Sequence, residues 1–164
     1  MKISENGINM LKKLEGNVRK AGIHVIYDDK TGKPVNTNER LPRGATVGYG
    51  HLIKPDEDFR NGISELKATE LLRTDVETAE RAVQNNINVA LTQNQFDALV
   101  LLAYNIGVKN FVTSTVVKYI NNPKFHSSVY KNLESAWKAW NKSGGHIMTG
   151  LANRRNQEWD LFNS

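Results

Sequence analysis

Glu15 stands among apolar neighbours. In INMLKKLEGNV, residues 8–18, Ile8, Leu11, Leu14 and Val18 recur at helical spacing, and Glu15 falls inside the arc they define at about 100° per residue. A carboxylate so placed must pair with a cation, stay partly hydrated, or keep its proton through a raised pKa. The last state is what a general acid needs at neutral pH, whereas a slight rotation of the helix would leave Glu15 merely at the rim of its apolar face. A second acidic group is the YDD of residues 27–29, which ends a β-branched segment and opens a turn. Turn chemistry accounts for at least one of Asp28 and Asp29. Two carboxylates from different elements facing one another are also what glycoside hydrolysis requires, one as acid and one to place water or stabilise charge on the sugar ring.

TVGYGH, residues 46–51, alternates glycine with a β-branched residue and an aromatic. Glycine weakens a strand, so the pattern implies a close backbone approach by another segment or by a ligand. It lacks the third glycine and the strand-to-helix context of a dinucleotide site. The histidines, at 24, 51, 126 and 146, have no metal-ligand spacing, and no serine sits in a G-x-S-x-G elbow. Cysteine is absent, which excludes disulfides, thiolate metal sites and a Cys nucleophile and fits a reducing cytoplasm. No metal or organic cofactor is expected.

The elements that must position these residues follow from period and capping. Ser4 is a candidate N-cap for a helix over about 5–16, stopped by Gly16 and the KAG of 20–22. IHVIYDDKTGKPVNTNERLPRGATVGYGHLI then reads as a small antiparallel sheet with turn-forming loops, the one β-rich part of the chain. From Ser64 the period becomes helical, with Leu72, Val76, Ala79 and Val83 marking a long helix of about 64–85 that joins two lobes. Thr92 and Gln95 make a capping-box pattern ahead of NQFDALVLLAYNIG, which is apolar nearly all round and should centre the larger lobe. Further helices are expected at about 111–121, 128–141 and 149–162, with Leu151, Arg155, Trp159 and Phe162 along one side of the last.

The expected fold class is therefore α+β in a single domain over 1–164: an N-terminal lobe with the small sheet to about 63, the joining helix, and an all-helical lobe from about 86. A length of 164 residues, 39% hydrophobic and 24% charged, is ordinary globular composition. The net charge of +5 favours anionic partners, but the basic residues are scattered and form no nucleic-acid arm. No apolar run approaches a membrane span and no secretory signal is visible.

In order, LEG, YxD, TxGYGH, QFDALVxLAYNIG, F-x-x-ST and GLxxRRxxE-x-x-LF span nearly the whole chain and together resemble the phage-type lysozymes, the endolysin family of glycoside hydrolase family 24. The resemblance implies a lysozyme-like fold with a cleft between its lobes. It implies Glu15 as the catalytic acid, Asp29 as the acid of YxD, and Thr46 as a holder of the attacking water. His51 and Leu52 would belong to the cleft floor, Tyr104, Asn105 and Ser114 to its helical wall, and Arg154 to the neighbourhood of the acid. Two spacings depart from the family: thirteen residues separate Glu15 from Asp29 where eight are usual, and sixteen separate Asp29 from Thr46 where five are usual. With eight intervening residues the aspartate position would fall on His24. Asp29 is preferred because it keeps the tyrosine two residues before it, and Asp28 is the alternative.

The implied activity is that of an endolysin, a muramidase (lysozyme, EC 3.2.1.17) cutting the β-1,4 bond between N-acetylmuramic acid and N-acetylglucosamine in peptidoglycan. Carboxylates roughly 6.5–9.5 Å apart would mean inversion and about 5–5.5 Å retention. A lytic transglycosylase and an inactive wall-binding module of the same fold are the alternatives. The expected setting is a monomer held in the host bacterial cytoplasm until a separate holin opens the membrane, after which its basic surface meets the peptidoglycan and the anionic envelope. Nucleic acid is not an expected partner. The extra residues, KTGKPVNTNERLPRGA, should form a longer hairpin or loop at the cleft edge, with Lys30, Lys33, Arg40 and Arg43 facing the acidic peptide stem or wall polymer.

Overall fold

In the computed structural model, which describes all residues 1–164, helix α1 (Glu5–Glu15) begins where Ser4 accepts a hydrogen bond from the Gly7 amide (3.1 Å). Gly16, at φ 67°, ends it by returning its amide to the Lys12 carbonyl (3.1 Å). Left-handed backbone at this position is the ordinary use of glycine after a helix.

The residues fall into two compact units, Asn9–Asp75 and Met1–Ile8 with Val76–Ser164. In the first, β1 (Arg19–Lys20) and β2 (Ile23–His24) form a hairpin whose turn residues Ala21 and Gly22 both have positive φ (49° and 79°). β3 (Tyr27–Asp28), β4 (Ala45–Val47) and β5 (His51–Leu52) form an antiparallel sheet in that order, with Tyr27 opposite Thr46 and Thr46 opposite Leu52. The long β3–β4 connection first doubles back on the sheet: the Asp28 amide donates to the Lys33 carbonyl (3.0 Å) and the Val35 amide to the Ile26 carbonyl (3.1 Å). Helix α2 (Glu65–Asn86) contributes its first turns to this unit. Leu11, Ile26, Val47, Ala68 and Leu72 are almost wholly buried.

The second unit centres on α3 (Gln93–Ile106), and every residue from Phe96 to Ala103 is buried. Thr92 and Gln95 form the expected reciprocal capping box. Asp97, buried within this apolar helix, accepts from the Ser4 amide (3.0 Å), the Ser4 hydroxyl and Gln93 Nε2 (2.8 Å), so its burial is compensated. A β-carbon on Gly7 would stand 2.9 Å from that carboxyl. The expected helix at 111–121 is instead two, α4 (Val108–Val112) and α5 (Thr115–Asn121), because the Ser114 hydroxyl accepts from the Val117 amide (3.3 Å) and starts a new helix. The expected helix at 128–141 shrinks to α6 (Leu133–Lys138): Asn132 and Ser135 cap each other, while the Ser127 hydroxyl holds the amides of Val129 (3.1 Å) and Tyr130 (3.0 Å) in a turn.

The helical lobe is also not all helical. β6 (Lys142–Ser143) and β7 (His146–Ile147) pair across Gly144 and Gly145, both at positive φ (56° and 80°). Helix α7 (Thr149–Phe162) occupies the predicted span. Its Trp159 and Phe162 stack on each other (5.7 Å between ring centres) and pack against the fully buried Trp137, so they serve the core. No helix is long and apolar enough to cross a membrane.

Candidate active site

Glu15 is the last residue of α1 and is half-buried. Its Oε2 lies 3.7 Å from where a β-carbon on Gly50 would stand, and Gly50 has φ 87°. The two glycines of GYG thus do different things: Gly50 supplies left-handed backbone beside the carboxylate, where a β-carbon would only be in ordinary contact, whereas Gly48 lets the β4–β5 turn approach α2, a β-carbon there standing 3.2 Å from that of Ala68. At both glycines the neighbour is another segment of the chain, α2 at Gly48 and the end of α1 at Gly50.

The YDD pair divides in a similar way. Asp28, on β3, gives its Oδ1 to the Lys30 amide (2.8 Å) and belongs to the turn. Asp29 is exposed, its amide donates to the Gly44 carbonyl (3.4 Å), and its carboxyl lies over Gly44 so closely that a β-carbon would meet Oδ1 at 2.6 Å. The φ of 89° is what calls for glycine at Gly44, and any side chain there would also displace the Asp29 carboxyl. The same Gly44 carbonyl accepts from the Thr46 hydroxyl (2.8 Å), so one glycine orders Asp29 and Thr46 together. Thr46 is 4% exposed, at the centre of the sheet.

Tyr27 links the two carboxylates. Burial raises its hydroxyl pKa, the Glu15 charge adds to that rise, a hydrogen bond from the Gly50 backbone opposes it, and the Asp29 charge raises it further. One phenol therefore senses Glu15 and Asp29 at once.

Behind Glu15 is a hub that sequence reading missed. Glu65, in the first turn of α2, accepts from Lys12 Nζ (3.0 Å), Arg19 (2.8 Å), the Tyr49 hydroxyl (2.8 Å) and His24 Nε2 (2.8 Å). Burial opposes its ionisation, but hydrogen bonds from His24, Lys12 and Tyr49 together with the Lys12 charge outweigh it and hold the carboxyl at about 2. One carboxylate thereby joins the α1 turn that carries Glu15, the β1–β2 hairpin and the GYG turn that carries Gly50. His24, fully buried, edge-on to Tyr49 (5.1 Å) and bonded to Glu65, belongs to this brace. Apart from Thr69 one turn on (3.3 Å), the partners of Glu65 lie 16 to 53 residues away, so no local pattern marks it as a hub.

The remaining candidates are spread over both units. His51 is 5% exposed, with Nδ1 2.8 Å from Asp75 and Nε2 2.9 Å from Glu57, while its neighbour Leu52 is 60% exposed. Burial lowers the His51 pKa, but the two carboxylates raise it more, favouring an imidazolium that donates from both nitrogens. Leu52 presents its side chain to solvent; His51 holds the strand. In the other unit Tyr104 is half-exposed and Asn105 exposed near the end of α3, and Ser114 caps α5. Arg154 donates to Glu158 (3.1 Å) and to the Leu101 carbonyl (3.1 Å); Arg155 donates to Glu158 (2.7 Å), Asn105 (2.9 Å) and the Trp140 carbonyl (3.1 Å). Trp137 Nε1 also donates to Glu158 (3.1 Å).

The profile of the phage lysozyme family matches residues 27–158, a span that holds Asp29 and Thr46 and begins after Glu15. The chain is 38% identical over 164 residues to an endolysin of Bacillus phage PZA, covering 100% of this chain and 56% of that protein. It is 35% identical over 165 residues to the endolysin of Salmonella phage P22, covering 99% and 98%. The chain thus spans about half the length of the Bacillus phage relatives it matches. Among solved structures, a P22 lysozyme mutant superposes with a TM-score of 0.75 at 32% identity, covering 100% of this chain and 99% of the other. The muramidase domain of SpmX from Asticaccaulis excentricus superposes at 0.74 with 30% identity, covering 99% and 98%.

Proposed function

The chain belongs to the phage lysozyme family, and on that premise we propose that it is a muramidase acting as an endolysin, hydrolysing the β-1,4 bond between N-acetylmuramic acid and N-acetylglucosamine in bacterial peptidoglycan. Glu15 protonates the leaving oxygen. Asp29 and Thr46 place water on the far face of the ring. The Thr46 hydroxyl proton is taken by the Gly44 carbonyl (2.8 Å), so its oxygen offers lone pairs. A water can then donate one proton to Thr46 and the other to Asp29, leaving its own lone pair for the anomeric carbon, and Asp29 receives the proton as the bond forms. The exposed Leu52 is a sugar contact, whereas His51 acts through the strand it holds.

The observation that carries this reading is the pair of glycine-framed carboxylates, Glu15 beside Gly50 and Asp29 over Gly44, both sensed by Tyr27. In the cell, the reading has a monomer waiting in the host cytoplasm for a holin to open its path to the wall.

The test is the series Glu15→Gln, Asp29→Asn and Asp28→Asn on purified peptidoglycan with mass analysis of the products. Glu15→Gln and Asp29→Asn should each lose about 10² to 10⁴ of the rate, in the range of a positioned proton-transfer group, while Asp28→Asn stays near the parent. Products should carry reducing muramic acid ends. Anhydro-muramyl ends would mean a transglycosylase, and parental activity in Asp29→Asn would remove Asp29 from the mechanism.

A further inference from the structure

Beside Gly44 the long β3–β4 loop and the segment after β5 enclose a concavity of about 600 Å³. Its wall is cationic: Arg40, Arg43 and Lys54 are exposed, and their side chains make no hydrogen bond or ion pair. Leu41, Pro42 and Leu52 supply apolar surface between them. The wall is also held in place. Arg60 donates to the Thr37 and Glu39 carbonyls (2.8 Å to Glu39), pinning the loop from below, and Glu57 is occupied by His51 (2.9 Å) and the Lys54 amide (2.8 Å). Glu57 is thus committed within the protein and feels the charge of Lys54, the exposed Asp58 accepts from the Arg60 amide (3.1 Å), and Arg40 and Arg43 are left to solvent. A braced surface of uncommitted cations interleaved with small apolar groups suits a ligand in which carboxylates alternate with methyl groups.

We propose that this concavity binds the peptide substituent of the muramyl residue, its alanyl methyls against Leu41, Pro42 and Leu52 and its carboxylates against Arg40, Arg43 and Lys54. The inference rests on the muramidase reading for its choice of ligand. Continuity with the reacting centre supports it, because Gly44 and Ala45 line the concavity and the same Gly44 orders Asp29 and Thr46. The site would make the protein select glycan strands that carry peptides, a preference that the catalytic residues alone do not supply.

Binding tests the proposal independently of turnover. A disaccharide carrying the muramyl tetrapeptide, and the same disaccharide without peptide, are titrated into the whole chain while amide shifts are followed. The peptide-bearing probe should bind about fivefold more tightly, the size expected of a pair of exposed charge contacts, and should move the Arg43, Gly44 and Leu52 amides. In Arg40→Gln with Arg43→Gln, that difference should vanish with thermal stability unchanged, and in the parent it should fade in 0.5 M salt. Equal binding of the two probes, or an unchanged difference in the double variant, overturns the proposal whatever the activity assays give. On whole walls, KM should rise in the double variant for peptidoglycan with its peptides and not for strands freed of them by an amidase. A rise that instead follows removal of phosphate-bearing wall polymers also overturns it.

Discussion

Glu65 keeps 45% of its side chain in contact with solvent and Glu158 keeps none, yet each gathers positive charge. The outcomes are opposite. Burial is the largest single influence on Glu65, yet hydrogen bonds from His24, Lys12 and Tyr49 together with the Lys12 charge outweigh it and hold the carboxyl at about 2. Glu158 has two guanidiniums and an indole N–H, and burial still pushes its carboxyl up against the pull of Arg155 and Arg154. Removing the last water from a carboxylate outweighs even two charge partners, whereas a half-hydrated carboxylate keeps most of what its donors offer. The two hubs also differ in reach. Glu65 ties together elements distant in sequence around Glu15, while Glu158 fixes two arginines of its own helix, which in turn grip the Leu101 carbonyl and Asn105.

The largest expected effect is at Glu158. Glu158→Gln leaves two buried guanidiniums short of a counter-charge and should destabilise the protein by about 3–5 kcal/mol in urea unfolding. Glu65→Gln should be milder, about 1–2 kcal/mol, because water replaces part of what is lost. It should also lower the turnover of peptidoglycan, since the brace behind Glu15 and Gly50 is loosened. Equal destabilisation in the two variants would break the comparison.

Acid titration sharpens it. A carboxyl lowered to about 2 contributes stability that is present above the unfolded value of about 4.3 and lost as pH falls toward 2. The stability gap between parent and Glu65→Gln should therefore close over that window, followed by melting temperature between pH 2 and 6. Glu158 is raised, so its contribution has the reverse slope and declines as pH climbs past about 4.3. The smallest effect belongs to His51. Its raised pKa gives stability present below about 6.5 and lost as pH rises through its folded value, and Asp75→Asn should flatten that alkaline limb by under about 1 kcal/mol.

Local chemistry was legible. Ser4, Gly16 and the Thr92–Gln95 box mark helix ends because a cap involves residues only a few positions apart, and the all-round apolar run at 96–103 is buried as its composition implied. The same kind of signal stood at Ser114, Asn132 and the Gly144–Gly145 pair, and reading it there would have split the helix at 111–121, shortened the one at 128–141 and found the second hairpin. A hydrophobic period continues across such breaks, so period alone overextends helices. Trp159 and Phe162 packed as apolar stripes generally do.

By itself, the sequence determined the α+β class, the main helix starts and the ordered motifs of the family, all carried by contacts within a few residues or by residue type along the chain. Only the tertiary structure decided that Asp28 belongs to a turn while Asp29 lies over Gly44, that His24 is buried on Glu65, and that Gly48 meets a helix while Gly50 borders Glu15. Apart from the Asp28 turn, those outcomes depend on groups brought together across longer stretches of chain, up to the 41 residues between His24 and Glu65, and on how much water each keeps, and neither quantity is written in local spacing.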